Sequence, residues 1–195
     1  VSKNKLQLQD LDDKNSKPFS LDFETLDKEK NSNNLLHKCF SKFDTSLKVF
    51  DLTAGFCKDA CSIANMGFQV TAYEKESWLF EFNKTCLGPL KKSNLNLINL
   101  NSIKALKKVT KKDILFLDPM FEINSRASAK KEIQFLRKCI STSSEKEILD
   151  AAQKSSAGVI IIKRHKLSNS QNPTKPSYVI KGKVISFEVF DRRAV

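Results

Sequence analysis

Residues 47–60, LKVFDLTAGFCKDA, decide the fold. The apolar run Leu47–Leu52 predicts a short strand. The turn that follows contains Gly55, and glycine permits a positive φ and a close approach of the backbone. Apolar residues at helical spacing come next, at Phe56, Ala60, Ile63 and Ala64. A strand, a glycine turn and a helix in this order form the opening unit of a parallel α/β sheet.

The same alternation of short apolar runs and helix-period segments continues through the chain. Further strands are predicted at Gln69–Tyr73, Leu95–Asn99, Asp113–Leu117, Gly158–Ile162 and Lys183–Phe190. Further helices are predicted from about Trp78 to Gly88-Pro89, from Ala127 to Ile140 and from Glu145 to Ser155. The pattern predicts an open, Rossmann-like α/β sheet that is mostly parallel.

The segment before the first strand differs in composition and hydrophobic pattern. Residues 1–46 are polar and irregular, with short alternating stretches at Leu6 and Leu8 and around Phe19–Phe23. We predict a short N-terminal appendage with one or two strands and a helix near Asn34–Phe43. The α/β domain is then residues 47–195. A start at Val1 and not at Met leads us to expect that the natural N-terminus lies upstream.

Composition excludes several classes of protein. The 195 residues suffice for one domain, and 40% hydrophobic residues with 14 Phe can build a core, so the chain is not disordered. No apolar run approaches the roughly 20 residues that a membrane span needs. Lys and Arg number 34 against 22 Asp and Glu, a formal charge of +12. This excess favours a polyanionic partner, with nucleic acid ahead of a membrane surface.

The cysteine pattern and the absence of common nucleotide-binding motifs narrow the possible classes of protein further. The five cysteines are odd in number and form no CxxC pair, so reduced thiols in the cytoplasm are expected. His37 and His165 belong to no ligand cluster, and we predict no metal. The chain contains neither a Walker A pattern nor a GxGxxG fingerprint.

Two strand ends predict a cofactor site, because ligands of open α/β sheets bind at the carboxyl ends of the strands. Asp51 and the turn through Gly55 close the first strand. Glu74 closes the second, about 20 residues after the glycine turn, the spacing at which a carboxylate meets both hydroxyls of a ribose. An ordinary tight turn and a solvated Glu remain the alternative. The pair favours a nucleoside cofactor without separating NAD from S-adenosylmethionine.

Asp118-Pro119-Met120-Phe121 follows the fourth predicted strand. Methyltransferases that act on base amines commonly carry an Asp/Asn-Pro-Pro-aromatic motif here. The Asp118 carboxylate and the Pro119 carbonyl could accept hydrogen bonds from an exocyclic amine, while Phe121 stacks on the base. Such acceptors stabilise the positive charge that develops as a methyl group arrives. The alternative is a proline turn with Phe121 in the core.

Basic residues around this edge predict contact with RNA. Lys163, Arg164 and His165 close the fifth strand and could meet phosphate. Lys130 and Lys131, with Arg126 and Arg137, give a second basic patch on the helix after the Asp-Pro segment. This distribution suits RNA around a flipped-out base. Solvated charged surfaces are the alternative for both patches.

Five segments together resemble the ribosomal RNA small subunit methyltransferase J family. They are DLTAGFCKDA (Asp51–Ala60), Glu74-Lys75, LDPMF (Leu117–Phe121), SAKKE (Ser128–Glu132) and IIKR (Ile161–Arg164). The resemblance implies a class I S-adenosylmethionine-dependent methyltransferase domain with a late antiparallel strand. It implies methyl transfer to the N2 amine of a guanine in 16S ribosomal RNA, by a cytoplasmic monomer acting on that RNA or on the small ribosomal subunit. The cofactor contacts that it implies are Lys58, Asp59, Glu74, Lys75, Asn101, Ser102 and Asp118.

The chain also departs from the family pattern. Cys57 stands in place of a glycine, Lys75 in place of arginine and His165 in place of proline, and residues 25–43 lack the family's Arg and Gly. Other enzyme hypotheses are an amine methyltransferase for adenine N6 and, less favoured, an NAD oxidoreductase. A different class of hypothesis is a degenerate, non-catalytic RNA-binding protein.

Overall fold

A seven-stranded sheet lies at the centre of the part of the chain that the computed structural model describes, residues 6–14, 16–28, 34–119, 131–139, 145–166 and 174–193. Its strands are β1 (Lys48–Asp51), β2 (Gln69–Glu74), β3 (Leu95–Asn99), β4 (Asp113–Leu117), β5 (Val159–His165), β6 (Tyr178–Lys181) and β7 (Ile185–Asp191). The helices are α1 (Phe23–Lys28), α2 (Leu35–Phe40), α3 (Lys58–Asn65), α4 (Ser77–Leu87), α5 (Lys131–Cys139) and α6 (Glu145–Lys154). Gly88–Leu90 and Ser102–Lys108 are 3₁₀ helices.

The strand order is β3-β2-β1-β4-β5-β7-β6. Strands β1 to β5 are mutually parallel, whereas β7 runs antiparallel to β5 and to β6. The predicted mostly parallel sheet with a late antiparallel strand is therefore confirmed. The order reverses between β1 and β4, and this switch point opens a crevice at the carboxyl ends of the two strands.

One strand was missed, since no strand was predicted around Tyr178–Lys181. It forms the edge strand β6, where alternate residues stay exposed and no buried apolar run marks it. The strand predicted from Lys183 begins only at Ile185, because the preceding residues form a tight turn in which the Gly182 N–H donates to the Ile185 carbonyl at 2.9 Å.

Apolar residues cover both faces of the sheet, which explains the continuous apolar runs of β4 and β5. Phe116 and Ile161 belong to the larger cluster, on the face that α2 and α3 cover. Leu115 and Ile160 belong to the second cluster, which includes buried residues of α6.

The N-terminal segment packs into the larger cluster. Phe40 is fully buried, and its ring lies 5.5 Å from that of Phe68 and 5.9 Å from that of Phe116. A predicted strand around Phe19 is reduced to a single bridge with Leu8, because α1 begins at Phe23. The predicted division at residue 46 stays a prediction, although the described part of this segment shares the core of the α/β sheet.

We expect Phe40→Ala to destabilise the whole chain by about 3–5 kcal/mol, because a buried phenyl ring is lost and a cavity remains. Denaturant unfolding followed by circular dichroism measures this loss. Leu11→Ala is the control, since Leu11 is 85% exposed, and its free energy of unfolding should change by less than about 0.5 kcal/mol. Equal effects of the two substitutions would show that the segment does not belong to the core.

Candidate active site

The turn after β1 is held in an unusual backbone conformation. Gly55 has φ +51°, and Cys57 has φ +55° with its side chain fully buried. A left-handed backbone costs a residue with a Cβ roughly 1–2 kcal/mol. The Cys57 N–H closes the turn on the Ala54 carbonyl at 2.7 Å, and α3 begins at the next residue. The positive φ at position 57 gives a physical reason for a glycine there in the resembling family.

Glu74, at the end of β2, holds this turn. Its Oε2 accepts a hydrogen bond from the Gly55 N–H at 3.0 Å, and its Oε1 accepts one from the Glu76 N–H at 2.9 Å. Burial raises the pKa of the Glu74 carboxyl, and these backbone donors oppose the rise. A carboxylate offers about four acceptor positions, so acceptor capacity remains for hydroxyl groups of a ligand. The two strand ends that the sequence singled out are thus in direct contact.

Two asparagines that were not predicted from the sequence support the turn from neighbouring elements. The Asn83 side chain, on α4, is fully buried and donates to the Gly55 carbonyl at 2.6 Å. The Asn99 side chain donates to the Glu74 carbonyl at 2.8 Å. Asn83 directly follows Phe82, a buried apolar residue of α4, and an amide next to a buried position was the available signal.

Thr53 joins the ends of β1 and β4 and was also missed. Its N–H donates to Asp51 Oδ1 at 3.0 Å, and its Oγ1 accepts from the Asp118 N–H at 2.7 Å. Asp51 is 1% exposed, and burial raises its pKa to about 8, with Asp59 and Asp118 adding to the rise. The Asp118 side chain keeps 40% of its surface exposed, and Pro119 beside it is buried.

The ammonium of Lys163 bridges two of these carboxylates. Its Nζ lies 2.6 Å from Asp59 Oδ2 and 2.7 Å from Asp118 Oδ2, and the Lys163 side chain is 20% exposed. Burial alone would lower the pKa of Lys163, but the two carboxylates raise it above its ordinary value. One side chain on β5 therefore ties the start of α3 to the end of β4.

The structure does not bring Lys163 and Arg164 together as the expected cationic rim. Neighbouring residues of a strand point to opposite faces, and Arg164 is 4% exposed with its Nε donating to Glu188 Oε2 at 3.2 Å. Lys163 is engaged by two carboxylates and Arg164 by Glu188. This placement does not favour phosphate contact by either residue, and that contact stays a prediction.

The other predicted cofactor residues surround the same edge. Lys58 and Asp59 begin α3, and the Lys75 Nζ lies 3.9 Å from Glu76 Oε1. Asn101 caps the second 3₁₀ helix by accepting the Ile103 N–H at 3.1 Å, and Ser102 is buried. Phe121 and Lys130 lie outside the described residues, and of Lys131 only the helical backbone is described.

The geometry fits a nucleoside cofactor that carries a positive charge. Glu74 offers acceptors for ribose hydroxyls, and Asp59 and Asp118 place two carboxylates beside the turn with one ammonium, Lys163, between them. Within the described ranges, no three His, Cys, Asp or Glu side chains are grouped as metal ligands. Of the helices described, none is both long and apolar enough to cross a membrane.

Substituting Asp51 tests its buried proton. Between about pH 4 and pH 8 the folded chain holds a proton on Asp51 that the unfolded chain lacks. The free energy of unfolding therefore falls as pH rises, by up to about 1.4 kcal/mol per pH unit. Above pH 8 it levels off, because Asp51 is then ionised in both states. Asp51→Asn cannot titrate and keeps an oxygen for the Thr53 N–H, so we expect it to lose this slope. Urea unfolding of both proteins from pH 5 to pH 9 measures the difference, and parallel curves would contradict it.

Comparison with known proteins gives relatives along most of the chain. A protein named ribosomal RNA small subunit methyltransferase J from Buchnera aphidicola subsp. Schizaphis graminum is 26% identical over 209 aligned positions, which cover 97% of this chain and 84% of that protein. Proteins of the same name from Coxiella burnetii and Neisseria gonorrhoeae are 29% and 28% identical over 73% of this chain. The chain spans only 59% and 62% of the length of these two relatives.

Solved structures share the fold. The SAM-dependent methyltransferase NGO1261 of Neisseria gonorrhoeae superposes with a TM-score of 0.67 at 20% identity, over 92% of this chain and 76% of that chain. The T. thermophilus 16S rRNA N2 G1207 methyltransferase, solved with AdoMet and guanosine, gives a TM-score of 0.58 at 16% identity, over 82% of this chain and 42% of that chain. A family model described as "Putative SAM-dependent methyltransferase" matches residues 1–192. The chain therefore belongs to this family of class I, S-adenosylmethionine-dependent methyltransferases.

Proposed function

We propose that the chain transfers a methyl group from S-adenosylmethionine to the N2 amine of a guanine in 16S ribosomal RNA. The observation that carries this proposal is the placement of Asp118-Pro119 at the crevice between β1 and β4, tied to the glycine turn through Thr53. The names of the relatives, which include ribosomal RNA small subunit methyltransferase J and a 16S rRNA N2 methyltransferase, support guanine N2 as the acceptor.

The cofactor supplies a methyl group on a positively charged sulfonium. In our proposal, Glu74 binds the ribose hydroxyls, Asn101 and Ser102 lie near the adenine, and the backbone of the glycine turn borders the rest of the molecule. The carboxylates around Lys163 stabilise the positive charge at the reacting end, because opposite charges attract and these side chains are partly shielded from solvent.

Asp118 orients the acceptor. Lys163 occupies Oδ2 of this carboxylate, and among the described residues no donor reaches Oδ1, so this oxygen is available to an amine hydrogen. The Pro119 carbonyl offers a second acceptor. Catalysis is then mainly positioning: the amine is held in line with the methyl group, and its proton leaves to solvent after transfer. Phe121 is proposed to stack on the base.

Replacement of Asp118 separates positioning from cofactor binding. We expect Asp118→Ala to lower kcat by roughly 10²-fold, the scale of losing one preorganised polar group at a reacting centre. S-adenosylmethionine affinity should fall far less, because Glu74 and Asp59 both remain for the ribose and the sulfonium. Stopped-assay kinetics and isothermal titration measure the two quantities. Equal losses in both would contradict the assigned role.

The reaction itself is tested with labelled S-adenosylmethionine and small ribosomal subunits that lack the modification. We expect label in N2-methylguanosine at one site of the RNA after digestion to nucleosides. Label in N6-methyladenosine would show that the acceptor is the N6 amine of adenine and not the N2 amine of guanine. Absence of both transfer and cofactor binding would favour the degenerate RNA-binding protein. Action as a monomer in the cytoplasm stays a prediction.

A further inference from the structure

The basic excess of the chain comes from two stretches that contain no acidic residue. Residues 82–112 hold eight lysines, and residues 151–187 hold seven Lys and Arg. The rest of the chain carries 19 basic against 22 acidic residues, so the bulk of the protein is slightly acidic. In the second stretch, Lys163 and Arg164 are engaged by carboxylates inside the fold. The second stretch keeps five exposed lysines, whereas seven of the eight lysines of the first stretch are exposed.

The 3₁₀ helix Ser102–Lys108 orders part of this first stretch. Because a 3₁₀ helix has three residues per turn, residues three apart lie on one face. Ser102 and Ala105 are buried on one face, whereas Lys104 and Lys107 share an exposed face. Lys108, the last residue of the helix, is exposed as well. We call these three side chains the lysine ridge. Within the described part of the chain, none of the three forms an ion pair with an acidic side chain.

The nearest acidic residue in the sequence after the ridge does not neutralise it. Asp113 is 6% exposed, and its Oδ2 accepts from the Thr110 N–H at 2.6 Å and from the Thr110 hydroxyl at 2.8 Å. Two further exposed lysines, Lys111 and Lys112, lie between the ridge and β4. The ridge thus presents a positive surface that extends into the following turn.

The ridge begins beside the candidate active site. Its helix is capped by Asn101, and the Leu100 N–H donates to the Glu74 carbonyl at 3.0 Å. Ala105 packs in the second cluster with Ile148 and Leu149 of α6, so the ridge lies on the α6 face of the sheet. A strand of nucleic acid with one base in the crevice could pass over this face.

We propose that the lysine ridge binds the phosphate backbone of the RNA that flanks the methylated base. This inference rests on the proposed function for the identity of the polyanion. Three exposed ammonium groups with no neighbouring acidic residue in the sequence favour phosphates, and the position next to Asn101 places those phosphates near the base to be modified.

The test is RNA binding by the triple variant Lys104→Gln/Lys107→Gln/Lys108→Gln, measured by fluorescence anisotropy across a salt series with a labelled fragment of small-subunit RNA. The logarithm of the association constant falls linearly with the logarithm of salt concentration, and loss of three phosphate contacts should make this slope shallower by about 2. Binding at low salt should weaken at least about tenfold. S-adenosylmethionine affinity, measured by isothermal titration, should be unchanged.

The matched control removes three exposed lysines from the N-terminal segment, in Lys17→Gln/Lys38→Gln/Lys42→Gln. Equal losses of RNA affinity in both triple variants, or no loss in the ridge variant, would overturn the proposal. Ridge-dependent binding to phosphatidylserine vesicles without RNA binding would also overturn it. RNA affinity is measured without methyl transfer, so the two proposals can fail separately. If the chain binds RNA through the ridge but methylates no guanine, only the proposed function is contradicted.

Discussion

The ion pair network of Lys163 is the interaction on which the candidate site depends. Asp59 and Asp118 come from elements that are far apart in sequence, and two carboxylates that share one ammonium would repel each other without it. One ammonium on β5 holds both at hydrogen-bond distance. The strand order places β1 and β4 side by side, and the Lys163 bridge then fixes the side chains that border the crevice between them.

The sequence predicted the fold well because parallel sheets bury both faces and so leave continuous apolar runs. β3 and β4 begin and end where predicted, and the Gly55 turn meets Glu74 as the spacing indicates. The edge strand β6 was missed because alternate exposure and short length remove that signal. α1 was missed because Phe19, Leu21 and Phe23 alternate like a strand, although Asp22 accepts the Thr25 N–H and starts a helix.

Side-chain partners were harder to predict than elements. Nothing in the local sequence of Lys163-Arg164 shows that the first side chain faces two carboxylates and the second faces Glu188, because all three partners come from distant segments. Thr53 and Asn83 were missed for the same reason, since their hydrogen bonds span 65 and 28 positions of the chain. The Asp118-Pro119 motif located the crevice. Which charges remain available to a ligand depends on ion pairs between distant segments.

The central claim is that the crevice between β1 and β4 holds the methyl donor and the acceptor amine together. A crystal structure of the chain with S-adenosylhomocysteine and guanosine tests it most directly. We expect the ribose hydroxyls of the cofactor product to bind the Glu74 carboxylate and the guanine N2 atom to lie within about 3 Å of Asp118. A cofactor product bound away from Glu74, or a guanine whose N2 points away from Asp118, would contradict it.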